Sequence, residues 1–170
     1  MSEVKTQFEK LQSSKLKLRN SSAAERAAKL NALWEATKAR KEDLFVATNK
    51  ERGTHDLDVA AELMMVKSEI DFVAKNTANW MKPEKIRNSM ATMGKRCEIR
   101  RQSKGVVLNI AAYNAPTAES IVPAVAAISA GNAIAVKTSE YAPHSAQIIQ
   151  EIFNEALPED EGQVFQGGVE

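Results

Sequence analysis

The segment from Gly105 to Glu140, GVVLNIAAYNAPTAESIVPAVAAISAGNAIAVKTSE, constrains the fold more than any other part of the chain. It holds an apolar run, Val106 to Ile110, then a polar turn, a stretch of small residues at helical spacing, and a second apolar run, Asn132 to Val136. Two short apolar strands joined through a helix form a crossover, so they pair in parallel. An uninterrupted apolar run is what a strand covered on both faces requires. Ligands of such sheets bind beyond the carboxyl ends of the strands. That places interest on Ala111 to Pro116 and on Lys137 to Glu140.

The same pattern continues. Pro143 suits the first turn of a helix running to about Leu157, Pro158 to Gly162 reads as a turn, and Val164-Phe165 begins a third strand. The predicted fold class is therefore α/β. It has an N-terminal helical layer and a three-stranded parallel βαβαβ sheet of Rossmann-like type. The sheet is expected to be incomplete, because a third strand leaves an open edge beside Val164-Phe165 that native proteins normally cover.

Residues 1–83 form the helical part. Val4, Phe8 and Leu11 recur at i, i+4, i+7. Ser22-Ala-Ala-Glu25 is a capping-box pattern, and the helix it starts carries Leu30, Leu33 and Trp34. A helix from about Lys41 ends near Gly53, a suitable left-handed cap. The next runs from about Leu57 to Trp80, with a stripe of Val66, Ile70, Phe72, Val73, Thr77 and Trp80, and Pro83 marks its end. Residues 84–104 change character. In KRCEIRRQSK, Cys97 and Ile99 alternate with Arg96, Glu98 and Arg100. That period of two predicts a half-exposed charged strand, an arm reaching another domain or subunit. Residues 105–170 are the α/β part.

Composition narrows the function classes. Hydrophobic residues make up 44% and charged residues 26% of 170, ordinary values for one soluble globular domain. The net charge of +1 hides a division: residues 106–170 carry one Lys, no Arg and eight acids, so residues 1–105 are strongly basic. The split is read as two layers of different exposure rather than a nucleic-acid arm. One Cys and two His, far apart, give no disulfide and no metal-ligand spacing. The lone thiol fits a reducing compartment, and the polar start MSEVKTQFEK is unlike a secretory signal, so a cytoplasmic location is expected. Ile121 to Val136 is too interrupted, by Pro123, Ser129, Gly131 and Asn132, to span a membrane.

Several residues could carry chemistry. After the first strand stands Ala111-Ala112-Tyr113-Asn114-Ala115-Pro116, with neither GxGxxG nor a Walker lysine motif. The Asn114 amide can donate hydrogen bonds to a developing oxyanion; equally, a turn Asn can bond its own backbone. Lys137 is the only Lys or Arg in the last 65 residues and ends the second strand, with Glu140 three residues on. The pair can hold the hydroxyls of a ribose where a doubly wound fold places its ribose-reading acid, or it is a solvated lysine and a helix-flanking acid. Gly167-Gly168 permits a tight turn or close backbone approach. Cys97 has cationic neighbours but lies on the arm and reads as structural. The basic set Lys95, Arg96, Arg100, Arg101 and Lys104 lacks the interleaved aromatics of a base-stacking surface.

Taken in order, GVVLNIAAYNAP, AISAGNAIAVKTSE and ALPEDEGQVFQGG resemble the cofactor-binding half of an aldehyde dehydrogenase. WMKPEKI before a charged strand resembles the short, class 3-like branch that includes fatty and coniferyl aldehyde dehydrogenases. The resemblance covers about residues 5 to 170. It implies an NAD cofactor, with NADP possible, an aldehyde substrate and a homodimer. It implies that Asn114 donates to the oxyanion of a thiohemiacetal and that Lys137 and Glu140 hold the adenine ribose. It also implies that Ala111, Ala112 and Tyr113 line the cofactor cleft, that Gly167 and Gly168 flank the adenine side, and that the strand around Cys97 makes dimer contacts. The chain departs from the pattern at Tyr113, where the family commonly has Trp, at Ala115, where it has an aromatic, and at Thr138, where it has Pro. Ala115 removes bulk beside Asn114, and Thr138 is expected to relax the backbone at Lys137. The family's nucleophilic Cys, its water-activating Glu and a second glycine turn have no counterpart in these 170 residues, so the chain alone is expected to be inactive. A non-catalytic nucleotide-binding or dimer-interaction module is the alternative.

Overall fold

Hydrophobic period and cap chemistry set the helical layer of the computed structural model, which describes residues 3–168. The helices are α1 (Glu3–Ser13), α2 (Lys15–Arg19), α3 (Ala23–Ala39), α4 (Lys41–Arg52) and α5 (Asp56–Trp80). Ser22 Oγ accepts the Glu25 N–H at 3.2 Å, and Glu25 accepts the Ser22 N–H at 2.7 Å, completing the expected capping box at the start of α3. Gly53, at φ 62°, ends α4 in the left-handed conformation. On α5, Val59, Val66, Ile70, Val73 and Thr77 are buried at helical spacing. Phe72 and Trp80, expected in that stripe, are instead exposed and meet each other edge to face, with ring centroids 5.7 Å apart. A single α-helical stripe is too narrow to bury both flanks.

The charged arm is shorter than its alternation predicts. Only β1 (Glu84–Lys85) and β2 (Glu98–Ile99) pair, antiparallel, with Glu84 opposite Ile99. A strand needs a hydrogen-bonding partner along its length, and among the described residues the arm has two residues of it. Arg96 and Arg100 both reach Glu98, and Arg101 reaches Glu84.

The α/β part consists of β3 (Val106–Ile110), α6 (Pro116–Ser129), β4 (Ala133–Lys137), α7 (Pro143–Ala156) and β5 (Gly162–Phe165). The three strands pair in parallel in the order β3-β4-β5. One face of the sheet, with Val107, Ile134, Val136 and Val164, packs on α6, α7 and the helical layer in a single core. Each Ile or Leu fully buried there contributes about 1.5–3 kcal/mol. α6 tolerates Pro123 in its interior because Asn109 Nδ2 donates to Glu119 O at 2.7 Å. That carbonyl is the one a residue at 123 with an N–H would have bonded.

The other sheet face is only partly covered. Leu11 and Leu18 pack on Ala133 and Ala135, but Leu108 and Ile110 are 61% and 72% exposed. β3 is thus not covered on both faces, as its apolar run implies. It is an edge strand whose Leu108 and Ile110 face a groove shared with Val4, Phe8 and Phe165. Val4 and Phe8 border that groove and remain exposed, leaving Leu11 as the buried member of the predicted α1 stripe.

The charge division has a structural origin. Glu151, Glu155, Glu159, Asp160 and Glu161 all pair with cations of the first half: Arg40, Lys10, Lys17 and Lys29. Exposed pairs of this kind are worth little each. Glu161 is buried, with Lys17 at 2.8 Å and Lys29 at 2.5 Å on its two oxygens, and so ties α2 and α3 to the start of β5.

Arg26 makes the other long-range tie. Its buried guanidinium donates to Ser129 O at 2.8 Å, Leu18 O at 3.3 Å, Arg19 O at 3.2 Å and Ser21 Oγ at 3.0 Å. Gly131, at φ 79°, lies against it: a Cβ there would come within 2.5 Å of Arg26 Nη2 and 2.9 Å of Leu18 O. Gly53 has a similar φ but open space around it. Gly131→Ala should therefore cost about 2–4 kcal/mol, from backbone strain plus the clash, and Gly53→Ala about 1 kcal/mol, from strain alone. Urea unfolding midpoints for the two variants test this; equal shifts would show that the Arg26 contact is not tight.

Candidate functional site

Three strand ends converge at one edge of the sheet, as the parallel register requires. Ala111 N–H donates to Lys137 O at 2.9 Å, and Thr138 N–H donates to Phe165 O at 3.1 Å. Ala111 to Asn114, Lys137 to Tyr141 and Phe165 to Gly168 therefore lie at a common end. The expectation that Thr138 relaxes the backbone does not hold. A Pro has no N–H, whereas Thr138 donates both its N–H and its hydroxyl, the latter at 3.3 Å, to Phe165 O. This ties the ends of β4 and β5 together.

Asn114 sits two residues before α6 and is exposed. Its side chain makes no hydrogen bond among the described residues, so the alternative of a turn Asn bonding its own backbone is not realised. Its carbonyl is held instead, by Arg52 Nη1. Lys137 Nζ donates to Glu140 Oε2 at 3.0 Å and to Thr138 O at 2.6 Å. Glu140's own main-chain N–H, together with the Lys137 ammonium, holds its carboxyl below the usual range. The result is an ionised acceptor beside a donor. Ala112 is exposed and Ala111 buried. Gly167 adopts φ 116°, a conformation other residues rarely take, and both it and Gly168 have open space where a side chain would stand.

No sequence pattern singles out Tyr141. Its ring meets that of Tyr113 edge to face, with centroids 6.1 Å apart. Both rings are exposed.

A second group unread from the sequence caps the two helices that start at this edge. α6 and α7 each begin at an Ala-Pro pair, and neither Ala115 nor Ala142 supplies a side-chain cap. The caps come from the helical layer. Glu62 Oε2, on α5, accepts the N–H groups of Thr117 at 3.1 Å and Ala118 at 3.2 Å. Glu51, on α4, accepts the Ser145 N–H at 2.8 Å and the Ser145 hydroxyl at 2.6 Å. The positive helix ends that would attract a phosphate are thus already occupied by carboxylates. The missing cap residues before Pro116 and Pro143 are the one signal that could have announced this arrangement.

Cys97 belongs to the β1–β2 hairpin, where its carbonyl accepts the Ile86 N–H at 3.0 Å. It precedes the amino end of β3, whereas Asn114 follows the carboxyl end. No group of three or more metal-ligating side chains occurs among the described residues, and no described helix is long and apolar enough to cross a membrane.

Burial raises the Glu62 carboxyl above its ordinary value of 4.5, outweighing the two N–H groups and Arg52. A raised folded-state pKa means that folding favours the protonated form. The stabilisation from Glu62 is therefore full below about 4.5 and is lost as pH rises through the folded value. Urea titrations of wild type and Glu62→Gln across that window should show wild type losing ground as pH rises. A difference that stays constant, or moves the other way, would contradict the buried-acid assignment.

The sequence pattern described as "Aldehyde dehydrogenase family" matches residues 1–170. Aldehyde dehydrogenase family 3 member A2 of Macaca fascicularis is 33% identical over 146 residues, 85% of this chain and 30% of that protein. Aldehyde dehydrogenase family 3 member I1, chloroplastic, of Arabidopsis thaliana is 38% identical over 109 residues, 64% of this chain and 20% of that protein. Among solved structures, the substrate-bound AldH of Staphylococcus aureus superposes with a TM-score of 0.93 at 25% identity, covering 99% of this chain and 37% of that one. The chain thus spans 20–37% of the length of these relatives.

Proposed function

We propose that this chain, which belongs to the aldehyde dehydrogenase family, forms the cofactor side of an NAD(P)-dependent oxidation of aldehydes to carboxylic acids. One observation carries the reading. The carboxyl edge of the sheet carries both an Asn114 amide that makes no hydrogen bond among the described residues and an ionised Glu140 paired with Lys137 at 3.0 Å.

The residues fit the ribose end of a dinucleotide. Glu140 would accept from two neighbouring hydroxyls, and Lys137 would donate to the same sugar. The carboxylate would repel a 2′-phosphate, which favours NAD over NADP. The phosphates would not sit on α6 or α7, whose N-termini Glu62 and Glu51 already fill. The open backbone at Gly167 and Gly168 would border the adenine side, and Ala111, Ala112 and Tyr113 the cleft. When bound, NAD supplies a hydride acceptor. Asn114 would donate to the carbonyl oxygen as it gains negative charge under nucleophilic attack, a role worth several kcal/mol where such donors have been removed (about 2.7–4).

Cys97 is not that nucleophile, since it lies on the hairpin before the opposite end of β3. The isolated chain therefore lacks a thiol at the reacting edge and is inactive on its own. The arm exposes Met90 and Met93 to 89% and 73%, and Ile86 and Ile99 to 46% each. Exposed apolar side chains of this kind favour contact with a second copy, hence a homodimer. The same side chains are what a non-catalytic dimer-interaction module would present. The lone thiol favours a reducing compartment, and the cytoplasm is the location proposed.

Pure chain mixed with NAD and aldehydes should form no NADH above blank; sustained formation would refute the assignment of Cys97. Calorimetry should show weak NAD binding that Glu140→Ala weakens further, by about tenfold or more, the cost of losing hydrogen bonds to a charged acceptor. Submicromolar affinity, or affinity indifferent to Glu140, would count against the ribose reading.

A further inference from the structure

The Asn114 side chain is exposed and bonds to nothing among the described residues, so its direction follows from its main chain. Two contacts grip that main chain. Arg52 Nη1 donates to Asn114 O. Three residues on, Glu62 Oε2 accepts the N–H groups of Thr117 and Ala118, at the start of an α6 that has no side-chain cap of its own. The two grips are coupled, because Arg52 Nη2 lies 3.9 Å from Glu62 Oε1. Residues 114–118 are thereby clamped at both ends by an ion pair drawn from two different helices. Arg52 is the last residue of α4, and Glu62 lies in the second turn of α5.

Packing alone does not account for Arg52. Its Nε and Nη2 are buried without a hydrogen-bond partner, and a buried, half-paired guanidinium is costly. The hydrogen bond it does make goes to the residue that immediately precedes the Ala115-Pro116 entry into α6. A guanidinium can hold that carbonyl with one nitrogen and face a carboxylate with the other, whereas a lysine offers one point of charge.

We propose that Arg52, seated against Glu62, is a positioning residue that sets the direction of the Asn114 amide. The proposal rests on the reading of Asn114 as the oxyanion donor. Arg52 touches neither substrate nor cofactor and acts through the Asn114 carbonyl.

The test is NMR on the full 170-residue chain, with no aldehyde or cofactor present. In Arg52→Met, which keeps the aliphatic stem, the Asn114 carbonyl carbon should shift towards its non-hydrogen-bonded position. The order parameters of the Asn114 and Ala115 backbone amide groups should fall from the rigid range, about 0.85, towards the flexible one, below about 0.6. Thr117 and Ala118, still capped by Glu62, should keep their hydrogen-exchange protection, and α3 should be unchanged. Arg52→Lys should restore part of the carbonyl shift. Should Arg52→Met fail to fold, Glu62→Gln keeps a neutral acceptor for α6 while removing the ion pair, and it should loosen Asn114 in the same way. Unchanged Asn114 signals in the folded variant would overturn the proposal. So would a loss of protection spread evenly over α6, which marks a merely structural role. The oxyanion reading fails separately: a carboxylate or boronate oxyanion mimic that leaves the wild-type Asn114 amide unperturbed sinks that reading, and the Arg52 anchor would still stand.

Discussion

One buried guanidinium holds the helical layer to the sheet. Arg26 lies on α3, yet its hydrogen bonds go to the ends of α2 and α6, and Gly131 must lack a side chain to admit it. The carbonyls it satisfies are helix-terminal groups that would otherwise be buried without partners. Hydrophobic burial supplies most of the stability, but it is not directional. The hydrogen bonds of Arg26 fix where α6 ends and β4 begins, and hence the level at which the strands finish. The site at the carboxyl edge depends on that level.

Charge plays a second directional part. The basic first half and acidic second half face each other across the molecule, with Lys17 and Lys29 converging on buried Glu161 and Arg40 bridging two acids of α7. Glu161 shows the balance within such a pair. Burial raises its carboxyl, but the two ammonium groups outweigh this and hold it below the usual range. Part of the charge division visible in composition is thus an internal complementarity between the two halves of the chain.

The carboxyl edge combines an unusual electrostatic arrangement with an ordinary topology. Parallel sheets of this kind commonly offer helix N-termini to phosphate. Here Glu62 and Glu51 fill those positions from the helical layer, which agrees with the absence of a glycine-rich fingerprint after β3. The donors and acceptors left open at the edge are the Asn114 amide, the Lys137–Glu140 pair and the backbone beyond β5. On the proposed reading these groups take a sugar and a developing oxyanion rather than a phosphate.

Much of this was legible in the sequence, for local reasons. The capping box at Ser22, the left-handed glycine at 53, the proline opening α7 and the apolar runs of β3 and β4 each act within a few residues. They determine elements and their order, and the order determines a parallel sheet with Asn114, Lys137 and Glu140 at one edge. What the sequence could not determine depends on partners distant along the chain. The β3 run reads as doubly covered, but Leu108 and Ile110 are open, because coverage depends on which elements lie above the strand. The arm reads as a long strand but pairs over two residues, because a strand extends only as far as its partner. The caps of α6 and α7, the Asn109 bond that accommodates Pro123, and the Arg52–Glu62 clamp on Asn114 all join residues ten to a hundred positions apart. Periodicity carries no trace of such contacts; only tertiary packing brings those buried donors to the acceptors they require.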